Sequence, residues 1–395
     1  MNQLKKVKDL FLQILLIIFS YIVKKDNNLM IFGAGVGNSF KGNTKYLFLY
    51  GTREKKYNCF WITRNKELYK SLKNNGYPVL YLYSIFGFYK LLKSNILFIE
   101  MGAQDCVYTG QIFGNLNFFN LRHGTPLKKI GDDMIKENIG NSINILYKIR
   151  NILGKKFKSS ANLKYISSPS TFVSKILKKA FDNDNVYITG YPRNDIFFDK
   201  SLIIDDFYIS LDLGNYDKII TYCPTFRDNS NISPFTKDFL IKLNIYCKEK
   251  NYLFLIKLHP YDKSLDLNLN IYSNIKSIEK KVDLQELLVY TDILITDYSS
   301  VFFDYIITNK PIIYYSYDYE FYIKNCRGLY LDYYKEIPGP FIKEENELIQ
   351  CINNINDWFY DENYQNKYKE FNDKFNKYKD GKSCERVFSL ISKNI

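Results

Sequence analysis

Histidine is scarce in this chain of 395 residues, which contains only His123 and His259. Two histidines cannot form a histidine-rich metal site, so any histidine-dependent chemistry must use one of these two. The seven cysteines are scattered along the chain, and no two of them form a C-x-x-C pair. Cysteines without a pattern favour reduced thiols and argue against a disulfide framework or a zinc site.

The N-terminal apolar run is too short to cross a bilayer as a helix. Leu10–Val23 is about 14 residues long, whereas a spanning helix needs about 20. Lysines flank this run on both sides, at positions 5, 6, 8, 24 and 25. Cations at both ends favour the anionic surface of a membrane. We therefore predict that residues 1–25 form a membrane-associating helix, which makes the protein peripheral at the cytoplasmic face of the cell membrane. A buried structural helix is the alternative.

A glycine-rich segment follows the first predicted strand, Leu29–Ala34, but it lacks the dinucleotide-binding pattern. Gly33, Gly35 and Gly37 do not have the spacing of G-x-G-x-x-G, and no acidic residue follows at the proper distance. NAD binding is therefore excluded. A loop that lines a ligand crevice is the remaining interpretation.

Strand-like apolar runs alternate with helix-like segments through most of the chain, which is typical of parallel sheets covered by helices. The periodicity breaks around residues 199–215 and then resumes. Since the length suits about two domains, we predict Rossmann-like domains over residues 26–205 and 206–395. The last predicted helix, Cys384–Ile395, could return to the first of these domains. The net charge of +13 favours an anionic partner. No nucleic-acid-binding motif is present, so the anionic partner is predicted to be a membrane surface, a polymer or a nucleotide.

Polar clusters follow the predicted strands at their carboxyl ends. Ligands of doubly wound sheets bind outside those ends, in this case at the crevice expected between two halves. The clustered residues are His123, Arg193, Asp195, Arg227, Lys257, His259, Ser299 and Ser300. Both histidines fall in such a position, each beside a glycine or proline that fixes the turn.

The segment Thr291–Asp304 predicts a buried strand, a short polar turn and a helix. Asp297, Ser299 and Ser300 lie in the turn, where their side chains can cap the helix. This geometry directs backbone N–H groups and a positive dipole end toward an anion. An ordinary capped turn without a ligand is the alternative interpretation.

The cations at neighbouring strand ends indicate what that anion is. Arg227, Lys257 and His259 near the start of the helix would supply the donors that a diphosphate needs. A histidine side chain titrates near neutral pH, so His123 is a candidate general base. A structural histidine that is hydrogen-bonded in a turn is the alternative for His123.

Four acidic or basic positions carry weaker interpretations. Asp297 and Asp304 could orient a histidine or bind a hydroxyl-rich group, although Asp304 could also lie on a solvated helix face. Arg193 and Asp195 could pair with each other across the hinge between the domains.

An ordered set of motifs resembles the CDP-glycerol glycerophosphotransferase family, which includes the teichoic-acid primases and polymerases. The motifs are His-Gly-Thr-Pro-Leu-Lys at 123–128, Gly-Tyr-Pro-Arg-Asn-Asp at 190–195, Pro-Thr-Phe-Arg at 224–227, Lys-Leu-His-Pro at 257–260 and Thr-Asp-Tyr-Ser-Ser-Val-Phe-Phe-Asp at 296–304. The set is extended by Lys-Pro-Ile-Ile at 310–313, Tyr-Asp at 317–318, Arg-Gly-Leu-Tyr at 327–330 and Pro-Gly-Pro at 338–340. Each motif is weak alone, but their order is specific. One departure is Arg122, where the family often has tryptophan.

The resemblance implies an α/β, GT-B-like fold in which two doubly wound Rossmann-like domains face a cleft and the second holds the nucleotide. It implies transfer of glycerol phosphate, or a related alditol phosphate, from CDP-glycerol to a polymer or lipid-linked acceptor of a teichoic-acid-like or capsular polymer. CMP is released, without a metal or cofactor. The sequence leaves CDP-ribitol open as the donor.

The resemblance also implies roles for individual residues. His123 takes the role of the base, and Asp304 contacts the donor. The residues implied to bind or stabilise the diphosphate are His259, Arg227, Ser299 and Ser300, with Lys257 beside them. Further residues of the cleft are Gly124, Thr125, Pro126, Arg193, Asp195 and Asp297. A GT-B sugar-nucleotide glycosyltransferase and a non-catalytic membrane- or polymer-binding protein are the alternatives.

Overall fold

The computed structural model describes residues 3–109, 114–133, 163–204, 213–227, 233–258, 269–325 and 328–393. The chain forms two compact units. The first comprises Met1–His123, Gly131–Leu202 and Lys377–Ile395, and the second comprises Gly124–Ile130 and Ile203–Asn376. The chain changes unit between Leu202 and Ile203, whereas the predicted boundary stands after residue 205. Two segments differ from the predicted division, because residues 124–130 belong to the second unit and residues 377–395 to the first.

The first unit contains a parallel sheet of seven described strands. They are β1 Asp26–Phe32, β2 Asn58–Thr63, β3 Val79–Tyr81, β4 Ser94–Ile99, β5 Phe118–Asn120, β6 Leu163–Ser168 and β7 Val186–Ile188. Their order is β3-β2-β1-β4-β5-β6-β7. The order reverses between β1 and β4, as in a doubly wound sheet, so the loops after these strands open at the switch point where ligands bind.

Helices pack against this sheet. They are α2 Gly42–Glu54, α3 Lys66–Asn74, α4 Ile85–Lys93 and α5 Thr171–Phe181. The N-terminal helix, α1 Gln3–Ser20, packs on α4. Helix α3 begins after Asn65 because the side chain of Asn65 accepts hydrogen bonds from the backbone N–H groups of Glu67 and Leu68. Large rings fill the core, and those of Phe32 and Phe98 stack with centroids 4.5 Å apart.

The second unit repeats the same architecture with a parallel sheet of six described strands. They are β8 Lys218–Cys223, β9 Tyr252–Ile256, β10 Ile275–Ser277, β11 Ile293–Thr296, β12 Ile312–Tyr315 and β13 Phe341–Ile342. Their order is β10-β9-β8-β11-β12-β13. The central strands are almost continuously apolar because helices cover both faces of the sheet.

The helices of the second unit are shorter on average. They are α6 Lys237–Glu249, α7 Leu284–Tyr290, α8 Val301–Tyr305, α9 Tyr319–Asn325, α10 Tyr333–Glu336, α11 Glu345–Asn353, α12 Ile355–Phe359 and α13 Glu362–Phe375. The predicted strand and helix of the Thr291–Asp304 segment are β11 and α8. The helix is only five residues long before it tightens into a 3₁₀ turn at Ile306–Thr308.

The last helix, α14 (Ser383–Ser392), returns to the first unit. Its Phe388 ring stacks on Tyr57 and Tyr50, with centroids 5.4 and 5.8 Å apart. Apolar burial on α2 and the sheet therefore holds this helix, although it lies more than 150 residues along the chain from its partners.

The N-terminal helix α1 lies on the first unit through a narrow polar stripe. Its buried residues are Asp9, Gln13, Leu16 and Ser20, whereas most of its apolar residues are exposed. Gln13 Oε1 accepts a hydrogen bond from Thr109 N at 3.2 Å, and Ser20 Oγ accepts one from Asn115 N at 2.8 Å. Among the helices that the structure describes, none has the length and apolar character that a membrane crossing needs.

Candidate active site

His123 lies just after β5, at the carboxyl edge of the first sheet, and is exposed. Arg122 before it has a φ of 61°, and Gly124 after it has a φ of 151°. A left-handed backbone is uncommon for a residue with a side chain, and it costs energy that the surroundings must offset. His123 is therefore presented on a constrained turn.

Two hydrogen bonds hold this turn in place. Arg122 N donates to Asn120 Oδ1 at 2.8 Å, and the guanidinium of Arg193 donates through Nη1 to the backbone oxygen of His123 at 2.8 Å. The structure thus brings together His123 and Arg193, two residues that the sequence placed in the site.

Asp195 has a different role. Its carboxylate accepts hydrogen bonds from the backbone N–H groups of Ser383 and Cys384 at 2.9 and 2.8 Å, and so caps the start of α14. Burial raises the pKa of the Asp195 carboxyl above its usual range. The suggested pairing of Arg193 with Asp195 is therefore replaced by separate partners, and Asp195 is a structural residue of the first unit.

Two buried carboxylates that the sequence analysis missed follow β4. Glu100 Oε1 accepts a hydrogen bond from Thr44 N at 3.0 Å, and burial raises the pKa of Glu100 to about 8. Asp105 Oδ1 accepts a hydrogen bond at 2.8 Å from the backbone N–H of Val36, which has a left-handed φ of 58°. Asp105 thus stabilises the glycine-rich loop after β1. An acidic residue directly after an apolar strand was the one available sequence signal.

The 124–130 segment, which begins the His-Gly-Thr-Pro motif, packs on the second unit. Lys129 N donates to Gly328 O at 2.8 Å, and Lys128 forms an antiparallel bridge with Leu329. The three predicted cleft residues in this segment are all buried: Gly124, Thr125 and Pro126. The Thr125 hydroxyl is buried and has no hydrogen-bond partner within the described residues. A buried orphan hydroxyl is a candidate ligand contact.

Arg227 follows β8 and forms the centre of a buried ion cluster in the second unit. Its Nε donates to Asp318 Oδ2 at 2.7 Å, and its Nη2 donates to Asp297 Oδ2 at 2.8 Å. The guanidinium also lies 5.2 Å from the ring centroid of Tyr298. Arg227 therefore ties together the ends of β8, β11 and β12 through protein carboxylates. Its predicted diphosphate contact stays a prediction.

A cavity of about 300 Å³ opens beside this cluster, where β12 ends. Its lining residues are Ser316, Tyr317, Asp318, Tyr319, Glu320, Phe321 and Lys343. Aromatic rings can hold a flat ligand, and this lining also offers one lysine and two carboxylates as polar contacts. Tyr317 and Asp318 form one of the motifs of the family resemblance, but no ligand site was predicted at this cavity.

Lys257 follows β9 and is buried. Its backbone N donates to Tyr222 O at 2.9 Å, and its Nζ donates to the backbone oxygen of Glu279. These bonds place the ammonium at the carboxyl edge of the second sheet, as predicted. His259 lies outside the described residues.

The turn after β11 departs from the predicted capping. Ser299 Oγ accepts a bond from Val301 N at 3.5 Å, which is long, and Ser300 occupies the N-cap position without a side-chain cap. The Asp297 carboxylate accepts from Thr225 N at 2.8 Å and from Arg227 instead of capping α8. Tertiary bonds to the neighbouring strand end therefore outcompete the local cap.

Asp304 is buried in the first turns of α8 and is 3% exposed. This excludes the interpretation of Asp304 as part of a solvated helix face. One of its carboxylate oxygens accepts a hydrogen bond from Gln285 Nε2 at 3.4 Å. Its donor contact stays a prediction.

The model of the CDP-glycerol:poly(glycerophosphate) glycerophosphotransferase family matches residues 15–393, which include both units and every element described above except the start of α1. The chain belongs to this family. The resemblance drawn from the motifs is thereby confirmed, and the protein is a glycerophosphotransferase of the kind that acts in teichoic acid synthesis.

Two curated relatives match this glycerophosphotransferase over nearly their whole length. A teichoic acid poly(glycerol phosphate) polymerase of Bacillus spizizenii is 31% identical, and the match covers 93% of this chain and 94% of the relative. A teichoic acid glycerol-phosphate transferase of Staphylococcus aureus is 28% identical, over 95% of this chain and 96% of the relative.

The solved structure of the wall teichoic acid polymerase TagF has the same fold. It superposes with a TM-score of 0.76 at 24% identity and covers 99% of this chain and 96% of its own. This likeness confirms the predicted α/β, GT-B-like fold with two parallel sheets.

Proposed function

We propose that this glycerophosphotransferase transfers glycerol phosphate from CDP-glycerol to a hydroxyl group of a teichoic-acid-like polymer and releases CMP. Family membership and the two full-length relatives support this reaction. The observation that carries the proposal is His123, an exposed histidine on a constrained turn at the carboxyl edge of a parallel sheet.

In the proposed step the imidazole of His123 accepts the proton of the acceptor hydroxyl. The acceptor oxygen attacks the phosphorus that bears the glycerol, and the bond from that phosphorus to the bridging oxygen breaks. CMP leaves with the electron pair of that bond. Positioning and charge stabilisation supply most of the acceleration in phosphoryl transfer, so the surrounding donors matter as much as the base.

We propose that the second unit holds the donor at the carboxyl edge of its sheet. Lys257, Ser299 and Ser300 lie at neighbouring strand ends there, and the resemblance adds His259 to this set. The cavity beside Asp318 offers aromatic walls for the cytosine ring.

The donor is tested by measuring nucleotide release with a panel of substrates. Purified protein is mixed with CDP-glycerol, CDP-ribitol or UDP-sugars in the presence of a glycerol phosphate polymer or a lipid-linked primer. We expect CMP release with CDP-glycerol. Release of UDP from a UDP-sugar, with no CMP from either CDP-alditol, would identify a sugar-nucleotide glycosyltransferase instead.

The base is tested with His123→Ala and His123→Asn. We expect turnover to fall by about a hundredfold or more, since a general base typically contributes that much. The affinity for CDP-glycerol, measured by calorimetry, should stay within about twofold of the parent. Unchanged turnover in a folded variant would remove His123 from this role.

We also propose that the protein associates with the cytoplasmic face of the cell membrane through α1, so that a lipid-linked acceptor lies within reach. Asp9, Gln13 and Ser20 of α1 face the first unit together with Leu16, whereas most of its apolar residues face outward. The outward residues are Leu4, Val7, Leu10, Phe11, Ile14, Ile18 and Phe19, each at least 42% exposed. Exposed residues of α4 beside it, Ile85 and Phe86, continue the apolar surface. A helix of this kind lies in the plane of the membrane interface.

A further inference from the structure

Asn43, the second residue of α2, is completely buried and uses both ends of its side-chain amide. Its Nδ2 donates to the backbone oxygens of Arg122 and Leu121 at 2.7 and 3.2 Å. Its Oδ1 accepts a hydrogen bond from the backbone N of Arg193 at 3.0 Å. One side chain thus joins three backbone groups from two distant segments of the first unit.

These two segments are the ones that hold His123. Arg122 precedes His123 directly, and the Arg193 guanidinium donates to His123 O at 2.8 Å. Asn43 therefore acts on His123 from both sides, through the preceding peptide and through Arg193. The contacts form a closed ring that runs from Asn43 to Arg122, His123, Arg193 and back to Asn43.

The strain at Arg122 shows what this ring maintains. Its φ of 61° lies in the left-handed region, which costs a residue with a side chain about 1 kcal/mol or more. The bond from Asn43 to Arg122 O and the bond from Arg122 N to Asn120 Oδ1 oppose relaxation. Backbone strain persists only where its surroundings enforce it, and here it lies next to the proposed base.

We infer that Asn43 is a positioning residue for His123, acting with Arg193 to fix the backbone from which the imidazole reaches the acceptor hydroxyl. This inference rests on the proposed function, in which His123 is the base. Asn43 is completely buried and bonds to backbone groups of the first unit, so its loss should change the rate of the chemical step and leave donor binding intact.

The test is the separate measurement of kcat and KM for CDP-glycerol in Asn43→Ala and Asn43→Asp. Aspartate keeps an acceptor for Arg193 N but cannot donate to the two carbonyl groups. We expect kcat to fall by about tenfold to a hundredfold in both variants, because a misplacement near 1 Å can cost that much. KM for CDP-glycerol should stay within about twofold of the parent.

Asn117→Ala is the matched control. Asn117 precedes β5 at the opposite end of the strand, and its Nδ2 donates to Asn95 O at 3.1 Å. The control also loses an amide-to-carbonyl bond, so it should lower stability without lowering kcat. If Asn43→Ala and Asn43→Asp do not fold, Arg193→Met carries the test, since it removes the bond to His123 O from a partly buried residue.

The outcomes separate this inference from the reaction itself. The positioning role alone is overturned if turnover depends on His123 but the folded Asn43 variants keep the kcat of the parent. Where the Asn43 variants do not fold, the same conclusion follows if Arg193→Met keeps that kcat. An equal loss of kcat in Asn117→Ala would assign the effect to general destabilisation and also overturn it. A parent enzyme whose turnover is insensitive to His123→Ala overturns the proposed base first.

Discussion

Arg227 shows at the scale of one residue how a cation of a family motif serves the fold. Its side chain is 7% exposed and bonds to two carboxylates that are buried even more completely. Removing one partner of a buried ion pair leaves an uncompensated charge, which typically costs about 3–5 kcal/mol. The cluster therefore has a structural role whatever part it plays in donor binding.

We predict that Arg227→Met lowers the free energy of unfolding of the second unit by about 3–5 kcal/mol, because Asp297 and Asp318 lose their shared cation. Denaturant titration followed by intrinsic fluorescence measures this change. Adding Asp297→Asn to Arg227→Met should recover part of the loss, since one buried charge disappears. A variant as stable as the parent would show that the cluster contributes no net stability.

Because of Glu100, the free energy of unfolding is expected to fall as pH rises. Burial raises its pKa to about 8, so the folded protein binds the proton more tightly than the unfolded chain does. Stability from this group is complete below the unfolded pKa near 4.5 and is lost as pH rises through about 8.

We predict that Glu100→Gln, which cannot ionise, becomes more stable relative to the parent as pH rises from 5 to 8. Melting temperatures of both proteins across that range measure the difference, which should grow with pH. Glu67→Gln is the control, since Glu67 is an exposed residue of α3. A difference that does not change with pH would show that Glu100 is already ionised at pH 5.

At the scale of elements, the sequence was most informative where structure is local. The apolar run Leu29–Ala34 overlaps β1, and the predicted strand of the Thr291–Asp304 segment is β11, because burial on both faces demands continuous apolar sequence. The short strands β10 and β13 were not predicted. The end of β11 was predicted well, but the capping after it was not. Asp297 bonds to Thr225 N and Arg227, and these partners lie about 70 residues away along the chain. A rule that considers only neighbouring residues cannot compare the strength of these distant contacts with the strength of a local helix cap.

The same limit explains which site residues were found. His123 and Arg193 were proposed from the sequence because each lies in a short motif beside glycine or proline. Asn43 and Glu100 were missed because each looks ordinary in sequence, one at a helix start and one after a strand. Their importance comes from burial and from partners 56 to 150 residues away.

The N-terminal helix yields a prediction at this scale. We expect Leu10→Ser, Phe11→Ser and Ile14→Ser together to weaken binding to anionic vesicles by about tenfold or more, since each loses apolar area that would enter the interface. Co-sedimentation with phosphatidylglycerol vesicles measures it. The three positions are 46–59% exposed, so the melting temperature should change little.

Helix α6 offers the matched control for this experiment. Ile241 and Ile245 on its surface are 50% and 52% exposed, much like the three residues of α1. Ile241→Ser and Ile245→Ser remove exposed apolar area from the second unit and should leave vesicle binding unchanged. An equal loss in both variants would point to nonspecific adhesion and not to a membrane face on α1.

At the scale of the whole molecule, the chain passes between its two units several times. It enters the second unit at Gly124, directly after His123, and returns to the first at Gly131. It returns again at Lys377, so the first unit is completed only by the end of the described chain. The return of the last helix was considered from the sequence, but the crossing at residues 124–130 was not, because it depends on which unit a short segment packs against.

The return of α14 to the first unit can be tested by substituting Asp195. Its carboxylate caps α14 by accepting from Ser383 N and Cys384 N, and loss of a helix cap typically costs about 0.5–2 kcal/mol. We predict that Asp195→Ala lowers the melting temperature and speeds amide exchange in α14, while exchange in α13 of the second unit stays as in the parent. Asp195→Asn keeps one acceptor oxygen and should fall between the two. Faster exchange in both helices would mean that the substitution destabilises the whole chain. Unchanged exchange in α14 would mean that apolar packing around Phe388 alone holds this helix in the first unit.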